Sequence, residues 1–132
     1  MNTLKGNISA VKTIGSLSLV SVMVGKTRLS AIVIDTPENS PYLQEGSSIN
    51  VIFKETEVIL GKGNSLTISL QNKINGTVES IENGELLSRL TLQTEVGKLI
   101  SIITSRAVGQ LELAIGSEVV AMVKTNEIML AE

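Results

Sequence analysis

The stretch Asn72-Lys73-Ile74-Asn75-Gly76-Thr77-Val78 repeats Asn2-Thr3-Leu4-Lys5-Gly6-Asn7-Ile8 at an offset of 70 residues, with no gap. Outward from it the same offset pairs Leu17 with Leu87, Ser18 with Ser88, Leu29 with Leu99 and Ile32 with Ile102. Further on, Leu43 meets Leu113, Gly46-Ser47 meets Gly116-Ser117, Lys54 meets Lys124, Glu57 meets Glu127 and Leu60 meets Leu130. Conservative pairs such as Val11 with Ile81, Val20 with Leu90 and Val58 with Ile128 lie between the identities. One shared residue would mean little, but a constant register over this span marks an internal duplication, which decides the architecture before any single element is read. It divides the 132 residues into a first repeat at 1–62, a linker or strand at 63–71 and a second repeat at 72–132.

The composition says what each repeat is made of. Hydrophobic residues make up 42% of the chain but aromatics only 2%, so the apolar content is aliphatic. Ile, Val and Thr together fill 39 of the 132 positions, and such β-branched side chains favour strands over helices. Within each repeat the apolar positions recur with period 2, as in Ile49, Val51 and Phe53 or Val119, Ala121 and Val123. Turn residues punctuate them at Ile14-Gly15, Val24-Gly25-Lys26, Asn83-Gly84-Glu85 and Val96-Gly97-Lys98. Asn83-Gly84 predicts a tight type I′ hairpin, since both residues tolerate positive φ. About five short strands per repeat follow, with a helical turn expected within 36–43 and again within 105–113. Leu66-Thr67-Ile68-Ser69-Leu70 alternates as an extended strand would. Ala31-Ile32-Val33-Ile34 and Leu99-Ile100 with Ile102-Ile103 are apolar on both faces, which predicts that one face meets another repeat or another subunit.

The residues present also exclude chemistry. Without cysteine or histidine there is no disulfide, thiolate nucleophile, zinc finger, Ser-His-Asp triad or imidazole ligand. Asp35 is the only aspartate, so a carboxylate cage for a free metal cation is not expected. A net charge of -2 with interspersed signs supplies no extended positive field, and Tyr42 and Phe53 are too few for a stacking platform, so no nucleic-acid partner is expected. No secretory signal or membrane span is legible, which predicts a soluble cytoplasmic protein. Gly25-Lys26-Thr27 resembles the end of a phosphate loop, but the earlier glycine is replaced by Val20 and a strand follows. The acidic pairs Glu55/Glu57 and Glu82/Glu85 read as solvated groups at turns and strand ends.

What remains is a set of small hydrogen-bond donors: Ser69, Gln71 and Asn72 at the start of the second repeat, Thr104-Ser105 after its third strand, and Lys124-Thr125 after its fourth. A fully ionised tetrahedral oxyanion needs donors only, whereas a protonated one such as hydrogen phosphate also needs an acceptor. The same residue types are common at strand ends and turns, so these residues alone leave a binding role and a structural role both open.

The pattern resembles the molybdate-binding Mop repeat, also called a molbindin or TOBE-type domain, in its tandem (di-Mop) form. The likeness is carried by Asn72-Lys73-Ile74-Asn75-Gly76-Thr77-Val78, Ile102-Ile103-Thr104, Leu113-Ala114-Ile115-Gly116-Ser117-Glu118-Val119 and Val123-Lys124-Thr125-Asn126-Glu127-Ile128-Met129-Leu130. In the first half it is carried by Leu4-Lys5-Gly6-Asn7-Ile8, Leu43-Gln44-Glu45-Gly46-Ser47 and Phe53-Lys54-Glu55-Thr56-Glu57-Val58. The resemblance implies an all-β chain of two tandem OB-like five-stranded barrels, each with a short helical turn, and a ring of six repeats completed as a homotrimer. It implies no enzymatic activity and no cofactor, but storage or homeostasis of molybdate or tungstate, bound as oxyanions between repeats. Ser69, Gln71, Asn72, Thr104, Ser105, Lys124 and Thr125 would line such a pocket, with Lys54 as the first-repeat counterpart of Lys124. Gln71 stands where the family has arginine, Ala107 where it has a second serine and Ile34 where it has threonine, and Glu55 beside Lys54 would repel an anion. The better sites are therefore expected around the second repeat. The alternative is a TOBE-type sensory or protein-interaction module whose pockets have degenerated.

Overall fold

Alternation builds the longest strand. In β1 (Asn2–Ile14) the side chains of Asn2, Leu4 and Ile8 are buried while Thr3, Lys5, Asn7 and Ser9 face out. The computed structural model describes residues 1–63 and 67–132. After β1 come β2 (Leu17–Val24), β3 (Thr27–Val33), β4 (Ser48–Phe53) and β5 (Ile59–Gly61), with a 3-10 turn at Glu55–Glu57. The second half repeats this order in β6 (Asn72–Asn83), β7 (Leu87–Thr94), β8 (Gly97–Thr104), β9 (Glu118–Val123) and β10 (Met129–Ala131), with a 3-10 turn at Thr125–Glu127. The chain is all-β and forms two five-stranded, OB-like barrels in tandem.

The helical turns differ. In the second half it is α1 (Ser105–Gln110), whose N-terminus is capped by the Thr104 hydroxyl accepting from Ala107 N–H at 3.1 Å. In the first half a single turn closes where Ser40 N–H donates to the Thr36 carbonyl at 2.8 Å, and Pro37 and Pro41 stop it growing.

The strand order shows what the duplication alone does not. One sheet runs β10-β4-β1-β2-β3 and the other β5-β9-β6-β7-β8, so each barrel takes its fifth strand from the other repeat. Leu60 of β5 pairs with Ala121 of β9, and Leu130 of β10 pairs with Val51 of β4. The exchange joins the two interiors into one hydrophobic cluster that runs from Leu4 and Phe53 to Ile74 and Val123. Residues 1–62 are a sequence unit, but the barrel is not confined to them.

Two glycines at the same repeat position explain a conserved register. A Cβ on Gly6 would lie 2.6 Å from the Met23 carbonyl oxygen, and one on Gly76 would lie 2.8 Å from Thr94 Cγ2, so each admits the neighbouring strand at a distance no larger residue allows.

Two expectations fail. Gly84 does not adopt positive φ and no two-residue I′ turn forms; Asn83 pairs with Ser88, and Gly84 is required because a Cβ there would meet the Leu87 carbonyl oxygen. Residues 67–71 are not a strand: Ser69 lies in a bend and β6 begins only at Asn72. The remainder of that expected strand, Leu66, and the breaker residues Asn64 and Ser65 lie outside the described residues.

Candidate functional site

Where two repeats meet, β3 and β8 expose strand edges that need partners. Each edge is answered by an asparagine from the other repeat. Asn72 Oδ1 accepts from Ser30 N–H at 2.7 Å while its Nδ2 donates to the Ser30 carbonyl at 2.9 Å and to the Val123 carbonyl at 3.0 Å. Asn2 does the same to β8: its Oδ1 accepts from Ile100 N–H and its Nδ2 donates to the Ile100 carbonyl, both at 2.8 Å. Ser30 and Ile100 are themselves separated by the repeat offset, so the two contacts are related by an internal twofold. An amide side chain presents a donor and an acceptor with the spacing of a backbone peptide, which is why Asn can stand in for a missing strand.

These clamps define two seams. At the first, Asn2 and the 3-10 turn at Glu55–Glu57 pack on β8, and Ser101 Oγ donates to the Val58 carbonyl at 3.0 Å. At the second, Asn72 and the 3-10 turn at Thr125–Glu127 pack on β3. Ile32, Ile100, Ile102 and Ile103 are half-buried, so the doubly apolar strands are covered in part by the opposite repeat.

The sequence-predicted residues divide between the seams. Gln71, exposed just before β6, and Asn72 belong to the second, as do exposed Lys124 and half-buried Thr125, which open its 3-10 turn; Ser69 is exposed in the approach to it. Thr104 ends β8 and Ser105 opens α1, so both follow the strand of the first seam, the side on which Lys54 precedes the turn at Glu55–Glu57. Within one chain the fold therefore does not bring Thr104 together with Lys124. The reason is reciprocal packing: each repeat's 3-10 turn lies on the other repeat's third strand.

Several of these groups already have partners. Asn72 is 1% exposed and both its donors and its acceptor are used within the chain, so it positions the seam. Ser105 Oγ donates to the Gly84 carbonyl at 2.7 Å and is hydrogen-bonded to Ser88 Oγ at 2.8 Å, and Thr104 Oγ1 caps α1. Lys124 pairs with no carboxylate among the described residues. Glu55, by contrast, is no idle solvated acid: its Oε1 lies 3.2 Å from the Met1 ammonium. Its carboxyl is held below the usual glutamate range by a backbone hydrogen bond at Glu55 itself and then by that ammonium, with a further pull from Arg89. Sequence reading missed the seam roles of Asn2, Arg89 and Ser101. Only Asn2 carried a signal, its identity with Asn72 across the duplication.

A groove of about 970 Å³ lies elsewhere, along β6 and β7, lined among others by Lys62, Asn75, Gln93, Glu95 and Glu118. Its two carboxylates oppose an anion, and none of the predicted donors lines it.

The model of the TOBE domain matches residues 68–130, nearly the whole second repeat. The structure of the cytoplasmic molybdate-binding protein ModG with molybdate bound superposes with a TM-score of 0.92 at 28% identity, over 98% of this chain and 94% of that one. Residues 68–130 are a TOBE domain. The molybdenum transport protein ModE of Herbaspirillum seropedicae is 29% identical over 133 residues, 98% of this chain. The chain spans about half the length of that curated relative. A molybdate-binding protein from Sporomusa ovata is 30% identical, with a TM-score of 0.49, and its whole length corresponds to 51% of this chain. The TOBE domain and the repeat that precedes it lie in one polypeptide, with both seams between them.

Proposed function

We propose that this chain is a cytoplasmic oxyanion-binding protein that stores or buffers molybdate or tungstate and catalyses no reaction. The observation that carries the reading is the likeness along nearly the full length to a molybdate-bound protein. Its functional units are the repeats 1–62 and 72–132, joined through 63–71. The second seam is the binding seam: Gln71, Lys124 and Thr125 offer amide, ammonium and hydroxyl donors, and Lys124 pairs with no carboxylate among the described residues. Ser69 completes this group from the approach to β6. Donors without a matching acceptor favour a fully ionised oxyanion over hydrogen phosphate. Thr104, Ser105 and Lys54 are the corresponding groups of the first seam, and a Thr104 from one chain can meet a Lys124 only across a contact between chains.

Such contacts belong to the reading. Ile14, Leu17 and Ile34 are 73%, 50% and 77% exposed, and Leu86 and Leu87 of the second repeat are 81% and 56% exposed. Aliphatic surface of that kind at equivalent hairpin ends favours a homo-oligomer, and two repeats per chain complete a six-repeat ring as a homotrimer. Calorimetric titration of molybdate, tungstate and sulfate tests the function: heat from the first two supports it, and silence from both ends it. The second reading, a sensory or interaction module with degenerate pockets, is favoured by Gln71 and Ala107 at positions where the family has arginine and serine. It predicts that silence.

A further inference from the structure

The seams are built from repeat-equivalent residues, yet they carry opposite chemistry. At the second, Lys124 is followed by Thr125; at the first, Lys54 is followed by Glu55. The Glu55 side chain is half-buried, in ion-pair contact with the Met1 ammonium, and it feels the Arg89 guanidinium of β7. The turn that carries it packs on β8, the strand that ends in Thr104. The second seam has no such cations at these positions: Leu19 is the counterpart of Arg89, and Ile34 that of Thr104. The first seam thus holds the Met1 ammonium as an anion ligand, with the Arg89 guanidinium near enough to act on the same point, and sets a carboxylate of the chain itself against them.

A carboxylate is acceptor-only, so it takes the same hydrogens that an oxyanion would take. Once held there it neutralises the Met1 ammonium and repels a doubly negative guest. We propose that Glu55 is a resident counter-ion that keeps the first seam closed to oxyanions, so that the duplicated chain binds through its second seam alone. This rests on the oxyanion reading, and it goes beyond it by naming the residue that sets how many sites a chain offers.

The test is a count of bound molybdate per chain by native mass spectrometry, with affinities from calorimetry, on the full chain and three variants. Glu55→Thr copies the Lys-Thr pair of the second seam, Glu55→Gln removes the charge at constant size, and Thr125→Glu installs the counter-ion at the second seam. We expect Glu55→Thr to take up one more molybdate per chain than the wild type, Glu55→Gln to do so more weakly, and Thr125→Glu to lose at least tenfold in affinity. Should wild type bind while both Glu55 variants keep its count and affinity, the counter-ion role is overturned and the oxyanion reading stands. If wild type stays empty and a Glu55 variant fills, the counter-ion role holds and it is the wild-type oxyanion function that falls. Molybdate taken up by none of the four proteins refutes both. Thermal melts followed by circular dichroism identify a variant that fails to fold, in which case the other Glu55 variant decides.

Discussion

At the first seam the Met1 ammonium pairs with Glu55 and Arg89 acts on the same carboxylate; at the second the equivalent position is Thr125, and Lys124 pairs with no acid among the described residues. What the two share is scaffolding: the asparagine clamp, the glycine at the close strand approach and the 3-10 turn laid across the other repeat. Apart from the lysine that opens each turn, what they do not share is the set of polar side chains: Glu55 stands against Thr125, Thr104 against Ile34 and Arg89 against Leu19. Duplication has kept the groups that satisfy buried backbone and let the ligand-facing ones diverge, because losing the first costs stability at once while losing the second changes only what is bound.

The clamps give the largest expected effect and the first way to break this comparison. Replacing Asn72 by Ala strips three hydrogen bonds from a side chain that is 1% exposed and leaves Ser30 N–H and two carbonyls unpaired. Urea denaturation should show a loss of about 3 kcal/mol. Asn2→Ala removes two such bonds and should cost about 2 kcal/mol. Equal losses would mean that the Val123 contact contributes nothing. A single transition is expected in both cases, since each barrel holds a strand of the other repeat.

The glycines sharpen the same contrast. A methyl group on Gly6 meets the Met23 backbone oxygen at 2.6 Å and cannot be relieved without moving a strand; on Gly76 its closest contact is the Thr94 methyl, which can turn aside. Gly6→Ala should therefore destabilise by about 2 kcal/mol and Gly76→Ala by about 1 kcal/mol, both read from thermal melts. The reverse order would show that backbone, not side chain, yields more easily in this barrel.

Much of this architecture was legible in the sequence. The offset of the Asn-to-Val stretch gave two barrels, and period-2 runs such as Ile49, Val51 and Phe53 gave strands where they stand. The exchange of fifth strands was not legible, because β5 and β10 have three residues each and nothing in three residues states which β4-type strand they will pair with. The division of the site was hidden for the same reason. Thr104 and Lys124 sit in one repeat, but the partner of each lies across a seam, as Asn2 and Ile100 do at a separation of 98 residues. Asn83-Gly84 misled because a short-range turn preference yielded to the path that brings Ser105 and Ser88 together.

Binding distinguishes the seams by their lysines. Lys124→Ala removes a donor that pairs with no carboxylate among the described residues, and should weaken molybdate binding by about tenfold, the scale of one charge-assisted hydrogen bond. Lys54→Ala acts beside Glu55, in a seam that already holds a carboxylate, and should change affinity by less than about threefold. Calorimetry on both variants reads the difference, and the opposite ranking would move the binding seam from the second to the first.

The smallest effect is in acid. Glu55 has a carboxyl whose affinity for protons is lowered in the folded chain, chiefly by its backbone hydrogen bond and then by the Met1 ammonium. A group depressed in this way releases its proton more readily folded than unfolded, so its contribution to stability is complete above the unfolded glutamate value and fades as pH falls through the lower folded value. A carbon-detected NMR titration should place the Glu55 midpoint below that of an ordinary glutamate. Glu55→Gln should flatten the acid limb of the stability profile only slightly, since the pair is partly exposed and screened by water and salt. The second seam offers an internal control: Thr125 has no proton to lose in this range, so Thr125→Val should leave the acid limb unchanged. A normal Glu55 midpoint would mean that the ion pair is not maintained in solution, and the charge contrast between the seams would then reduce to the identity of one side chain.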